Sequence, residues 1–269
     1  MRYYAAFIYF FLYSPIALIV GFSFNAGRYA MDWQGFSLMW YGRAFSNPLI
    51  TQALGTSLTI AGSTAVLSAV IGTLTALGLE RVTGTLRHIF DALLYIAIMV
   101  PGIVIGISTL IAFVTLFNIV NPYLVAAWGW KIEMGVWTVV AAHVLFNIAV
   151  VCLLVRARLT GMDRSLVEAS EDLYATPMST FRQVVFPLLM PSILAGFLLA
   201  FTFSFEDFII AFFVAGPNVT LPIYVFSSIR RGVTPEINAV GTVVLLTSLA
   251  ILVVAQIILQ RSSRTLKTT

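Results

Sequence analysis

The chain has 269 residues, of which 60% are hydrophobic and only 10% charged, against roughly 25% charged in a soluble domain. A soluble fold built from it would leave large apolar patches in water; lipid is the better solvent. At roughly 20 residues per span the length allows six helices and one longer loop, with no room for a further soluble domain. The net charge of +4 is spread singly or in pairs beside apolar segments, which excludes the clustered basic face of a nucleic-acid binder. The single cysteine, Cys152, lies in an apolar stretch; it excludes an internal disulfide, has no metal-ligand spacing around it, and reads as a buried structural thiol.

Six apolar stretches follow in order: Tyr3–Phe24, Thr51–Leu79, Ile89–Phe117, Gly135–Val155, Pro191–Val214 and Ile237–Leu259. The first exceeds a signal-peptide core of about 7–15 residues, and Asn25-Ala26-Gly27 is a weak cleavage site, so it is expected to be a retained helix. The segment 33–45 carries Trp33, Phe36, Trp40, Tyr41 and Phe45, residues that favour the headgroup zone, and predicts a short interfacial helix. In the third stretch Pro101-Gly102 and Gly106 loosen a helix, because proline removes a backbone hydrogen bond and glycine admits a neighbouring backbone; a packing kink and a pathway-lining hinge both fit. With the N-terminus inside, Arg2, Arg81, Arg87, Arg156, Arg158, Arg164, Arg182, Arg261, Arg264 and Lys267 fall on the cytoplasmic side. Arg28, Arg43, Lys131, Arg230 and Arg231 then fall outside, an excess of about two to one. That is the sign the positive-inside rule requires. The fold expected is an all-α membrane protein of six transmembrane helices, N-in and C-in, forming one transmembrane domain over 1–269.

The stretch 156–190, between the fourth and fifth spans, is too polar to cross a membrane yet is patterned. Asp163 or Ser165 can cap a helix through Leu166, Val167, Ala169 and Leu173, with the early carboxylate Glu168 suiting the helix dipole. Thr176-Pro177 breaks the pattern. A second helix carrying Phe181, Val184, Val185 and Leu188 follows, interrupted by Pro187 and Pro191. Two short helices with a turn between them make either a knob that docks into a groove on another protein or an amphipathic loop lying on the membrane.

Glu168-Ala169-Ser170, three residues, Tyr174, nine residues and then Val184-x-Phe186-Pro187 resembles the EAA loop of ABC importer permeases: Glu-Ala-Ala, three residues, Gly, nine residues, Ile-x-Leu-Pro. The resemblance implies that Glu168, Ala169, Ser170, Glu171, Asp172, Leu173, Tyr174 and Pro187 form a coupling helix that fits a cleft on a cytoplasmic ATPase. Tyr174 stands where the family has glycine. If the turn needs a positive φ, tyrosine is strained there by about 1 kcal/mol or more; otherwise the turn differs, or the family's glycine serves close packing. Gly35-Phe36-Ser37-Leu38-x-Trp40-Tyr41, Pro101-Gly102-Ile103-Val104-Ile105-Gly106-Ile107, Phe213-Val214-Ala215-Gly216-Pro217 and Gly232-Val233-Thr234-Pro235-Glu236-Ile237-Asn238-Ala239 extend the resemblance to the spermidine/putrescine branch. The last run favours the second of the two permeases such systems carry. The resemblance implies a bacterial inner-membrane assembly with a second permease subunit, two copies of a cytoplasmic ATPase that binds ATP and Mg, and an extracytoplasmic solute-binding protein.

The fifth span holds Glu206-Asp207 among Phe201, Phe203, Phe205, Phe208, Phe212 and Phe213. Intramembrane acids are costly and mark pathways, and carboxylates with aromatic faces suit a flexible polycation. Asp207, Glu206, Phe208 and Phe203 are therefore expected to line the route of a polyamine; pairing of one acid with Arg230 or Arg231 is the structural alternative. His143, in the fourth span, reads as a hydrogen-bonded interior residue rather than a proton relay. No metal site and no Gly-x-x-x-x-Gly-Lys-Ser/Thr phosphate loop occurs in the sequence, so ATP hydrolysis is expected from a partner. Another small solute, such as an amino-acid-like compound, remains an alternative cargo. An ion-coupled secondary transporter would be larger and show repeated halves.

Overall fold

Proline placement divides this chain into more helices than its hydropathy does. The computed structural model describes residues 2–28, 32–230, 232 and 235–265. In order the helices are α1 (Arg2–Phe22), α2 (Met39–Ser46), α3 (Pro48–Leu79), α4 (Gly84–Met99), α5 (Gly102–Trp128), α6 (Val136–Thr160), α7 (Ser165–Asp172), α8 (Pro177–Thr180), α9 (Phe186–Glu206), α10 (Ile209–Val214), α11 (Leu221–Arg230) and α12 (Pro235–Thr265), with a π-helical turn, Phe181–Val185, joining α8 to α9. Among the described residues five helical stretches are long and apolar enough to cross a membrane: Tyr3–Phe22, Pro48–Leu79, Gly102–Trp128, Val136–Thr160 and Pro177–Glu206. The apolar part of α12 seen there is Pro235–Ala250. The only β-pairing among them is the isolated bridge Asn25–Phe36.

Three expected elements differ. The third stretch is two helices, because Val100 sits at φ −66°, ψ 127° before Pro101, the extended conformation that a following proline ring imposes. The fifth is helical from Pro177 but stops at Glu206, and Pro187 and Pro191 lie inside it rather than interrupting it. Pro187 cannot donate to the carbonyl of Gln183 and its ring crowds it; one wide turn just before, with the N–H of Phe186 on the carbonyl of Phe181, relieves the conflict. The segment 33–45 is helical only from Met39, and Trp40 is buried, whereas Trp33, Phe36 and Phe45 are exposed.

The chain forms two compact units, 1–56 with 219–256 and 57–218 with 257–269. In the first, Asn25 organises the stretch after α1. Its Oδ1 accepts the N–H groups of Gly27 and Gln34 at 3.0 and 2.9 Å, and its Nδ2 donates to the carbonyl of Asp32. Trp40 Nε1 donates to the carbonyl of Asn25 at 2.9 Å, which explains why this indole is withdrawn from the surface. Asn47 Nδ2 donates to Glu236 Oε1 at 3.0 Å, tying α12 to the start of α3. The apolar side chains of α1 are almost all exposed, as a lipid-facing helix tolerates without cost.

In the second unit α6 is the axis. Val139, Val140, His143, Asn147, Val151, Cys152 and Val155 are all buried, with α9, α4, α10 and α5 packed around it. Close approach depends on small residues: a Cβ on Gly106 would lie 2.8 Å from the Phe213 ring and 3.3 Å from Ile210 Cα, so α5 and α10 meet backbone to backbone, as the sequence suggested for Gly106. Gly216 has φ +57°, and a Cβ there would stand 2.5 Å from the carbonyl oxygen of Met134. Only glycine meets both conditions, and the turn after α10 is thereby seated against the start of α6. Thr138 completes this corner, its hydroxyl accepting the N–H of Gly135 at 2.8 Å and donating to the carbonyl of Val214 at 2.6 Å.

Candidate functional site

The loop between α6 and α9 is a folded knob. Asp163 Oδ1 accepts the N–H of Ser165 at 2.9 Å, satisfying a free donor at the start of α7; that backbone N–H holds the exposed carboxyl of Asp163 below the usual carboxylate range. At the other end Leu173 is followed by Tyr174 at φ +58°. The N–H of Tyr174 bonds the carbonyl of Glu171 and that of Ala175 the carbonyl of Ser170, the paired pattern of a Schellman cap whose left-handed position is normally glycine. The turn does require a positive φ, so Tyr174 carries the strain. Behind it Thr176 caps α8 through the N–H of Ser179, and Ser170 Oγ lies 2.8 Å from Thr180 Oγ1, pinning α7 to α8.

Of the residues marked in this loop, Glu168, Ala169, Glu171 and Asp172 are exposed, and Leu173 and Tyr174 project with 81% and 95% of their surface free. Ser170 is half-buried in the α7–α8 contact and Pro187 is exposed on α9. A groove of ≈ 710 Å³ lies beside the knob, lined among others by Glu80, Arg81, Met162, Glu171, Met178 and Phe181.

The second site forms where the fifth stretch breaks. Asp207 takes an extended conformation, φ −68°, ψ 123°, and its carboxylate turns back on the next helix: Oδ2 accepts the N–H of Ala211 at 3.0 Å. The same oxygen lies 3.2 Å from His143 Nε2, and His143 Nδ1 lies 2.7 Å from Ser204 Oγ. The imidazole is buried, while the Asp207 side chain keeps 16% of its surface. Glu206 and Phe203, one turn apart on α9, are exposed. The two acids are thus separated by the helix break, Asp207 held within the unit and Glu206 on its surface. Phe208 packs on Phe212, ring centroids 5.5 Å apart.

Sequence reasoning anticipated His143 as a bonded interior residue but not as the partner of Asp207. The signal was a lone imidazole and a pair of acids in apolar stretches, groups that need partners there. It also missed the ion pair between Arg156 near the end of α6 and Asp91 of α4; Asp91 is the one acid in the third stretch. Arg230, the partner considered for the acids, stacks over Phe226, and Arg231 lies outside the described residues, as do Val233 and Thr234 of the branch-specific run.

Long apolar helices packed around one buried axis, with a carboxylate held at a helix break and a capped helical knob between two spans, define a polytopic membrane transport subunit. The chain belongs to the binding-protein-dependent transport system inner membrane component family, whose model matches residues 68–268. It is 37% identical over 257 residues, 95% of each chain, to the spermidine/putrescine transport system permease protein PotC of Haemophilus influenzae. It is 40% identical over 238 residues to the putrescine transport system permease protein PotI of Escherichia coli K12, covering 87% of this chain and 82% of that one. A crystal structure of a bacterial ABC transporter that imports alginate shares the fold, with TM-score 0.73 and 16% identity over 96% of this chain and 93% of that one. The MetNI methionine ABC transporter does so with TM-score 0.62 and 16% identity over 80% and 96%. The protein is therefore an ABC importer permease of the inner membrane, a transport subunit and not a catalytic one.

Proposed function

We propose that this permease carries a polyamine, putrescine or spermidine, across the inner membrane by ATP-driven alternating access. The observation that carries the cargo class is the carboxylate of Asp207. One oxygen is tied down by His143 and Ala211, and the other has no donor among the described residues. An aliphatic ammonium, which has three donors and no acceptor, complements that free oxygen. Exposed or half-exposed rings at Phe203, Phe208 and Phe212 attract the cation and accommodate its methylene stem. The two relatives named for polyamines, at 37% and 40% identity, support the same class.

The chain works as one permease domain over 1–269, N-in and C-in, the knob facing the cytoplasm. It pairs with a second permease, two copies of an ATPase that binds ATP and Mg, and an extracytoplasmic binding protein that delivers the cargo. The exposed acidic face of α7 with Leu173 and Tyr174 enters the ATPase; closure of the ATPase dimer moves the knobs together and opens the cavity outward, and hydrolysis resets it. Coupling of this kind requires that ATP state and cavity state bias one equilibrium, and a knob capped at both ends transmits a displacement that a loose loop would absorb. Proteoliposomes carrying the whole complex test the proposal. ATP-dependent accumulation of labelled putrescine or spermidine is expected, and an active complex that accumulates neither refutes the cargo class.

A further inference from the structure

The polar connection from Asp207 to the axial helix runs through His143. An ionised carboxylate only accepts hydrogen bonds, so His143 Nε2, 3.2 Å from Asp207 Oδ2, carries the hydrogen. In a neutral ring Nδ1 is then an acceptor, and Ser204, 2.7 Å away, donates its hydroxyl hydrogen to it. The donors point one way, from Ser204 to His143 to Asp207. The ring itself has little freedom, being 1% exposed, and one turn along the same helix Asn147 Nδ2 donates to the His143 carbonyl at 2.9 Å.

We infer that His143 is a positioning residue for cargo capture: its Nε2 donor locks the Asp207 carboxylate by Oδ2 and leaves Oδ1 free for an ammonium group. The inference rests on the reading that Asp207 faces a cationic cargo. Its chemical logic is the choice of donor. A lysine or arginine in this place would hold the carboxylate on a long, mobile stem, whereas a buried imidazole held at both nitrogens presents one donor in a fixed direction. The carboxylate itself selects the tautomer, since a ring protonated at Nδ1 alone would turn a lone pair toward Asp207, and the Ser204 hydroxyl orients the ring by donating to Nδ1.

The test uses the complete complex in liposomes, labelled putrescine, and the number of putrescine molecules moved per ATP hydrolysed at saturating loaded binding protein. His143→Phe keeps the ring volume and removes the donor. It is expected to lower the ratio about tenfold, the equivalent of one hydrogen bond to a charged group, with binding-protein-stimulated ATP hydrolysis unchanged. His143→Gln, whose amide still donates at about the same reach, is expected to recover most of the loss. A residue serving only helix packing would instead lower assembly and hydrolysis together and would not be rescued by glutamine. Should His143→Phe fail to assemble, Ser204→Ala, which removes the hydrogen bond that orients the ring, takes its place, with a smaller loss in the same direction expected. A wild-type ratio in the assembled variant, or a loss that glutamine does not repair, overturns the inference. Asp207→Asn measured in parallel separates the two levels. If it lowers uptake while the His143 variants do not, only the role of His143 falls; if it too is neutral, the pathway reading falls.

Discussion

The backbone carbonyl of Ser170 accepts the N–H of Ala175 at 3.1 Å, and the residue inside that loop, Tyr174, is turned to φ +58° to let it. The side chain of Tyr174 is 95% exposed, so no packing compensates within the chain. Relief of the left-handed strain amounts to about 1–2 kcal/mol, offset by roughly 0.5–1 kcal/mol of added unfolded-state entropy for glycine. Tyr174→Gly is therefore expected to stabilise the purified permease by roughly 0.5–1 kcal/mol, read as a higher thermal midpoint. A lower midpoint would show that the tyrosine makes a stabilising contact.

Glu168 stands in the first turn of α7 with its side chain exposed. Glu168→Lys is expected to leave the helical content of the permease unchanged, to cost no more than the dipole contact of one exposed carboxylate, about 0.3–1 kcal/mol, and to abolish co-purification of the ATPase or its coupling to uptake. Normal ATPase binding and normal uptake in that variant would remove the docking role from this face.

Val151 of α6 is clasped between two glycines. A Cβ on Gly72 would fall 2.7 Å from Val151 Cβ and 3.0 Å from the carbonyl of Ile148, and one on Gly196 would fall 3.1 Å from Val151 Cγ1. Gly72→Ala is expected to cost about 1–3 kcal/mol by overpacking, and Val151→Ala in the same chain, which removes Cγ1 at 2.9 Å but keeps Cβ, to return a minor part of it. Thermal unfolding of the single and double variants checks this; a double variant no better than the sum of the singles contradicts the clasp.

Some of this was legible locally. The α7 helix and the bond from the Ser165 N–H to Asp163 at its start follow from side-chain chemistry within a few residues, and so did the question posed by Tyr174, because a nine-residue spacing to Val184 does not depend on the rest of the fold. The break at Val100 was partly legible, since Pro101-Gly102 marked the place as a kink or a hinge; the break at Asp207 was hidden, because apolar residues on both sides keep the hydropathy high across it. The contacts that make the candidate site were hidden for a different reason: His143 and Asp207 are 64 positions apart, and no local pattern records a partner at that distance. The wide turn at Phe181–Val185 had a visible cause in Pro187, but proline equally permits a plain kink, and only the backbone distinguishes them.

Asp91 and Arg156 pin α4 to α6 below the Pro101 break, their side chains 26% and 15% exposed. Losing a hydrogen bond to a charged group costs about 1.5–3 kcal/mol, and Arg156, near the helix end, can reach water when left alone, which places Asp91→Ala at the lower end. A double-mutant cycle with Arg156→Ala is expected to return a coupling of about 1 kcal/mol or more. Additive losses would mean that the pair holds nothing together.

The central claim, that Asp207 and not its neighbour meets a cationic cargo, is tested most directly by ATP-dependent uptake of labelled putrescine in proteoliposomes carrying wild-type, Asp207→Asn or Glu206→Gln permease in the full complex. The account predicts that Asp207→Asn loses most of the uptake while ATPase assembly stays intact, and that Glu206→Gln stays near the wild type. Equal uptake by the wild type and Asp207→Asn, or a loss confined to Glu206→Gln, would contradict it.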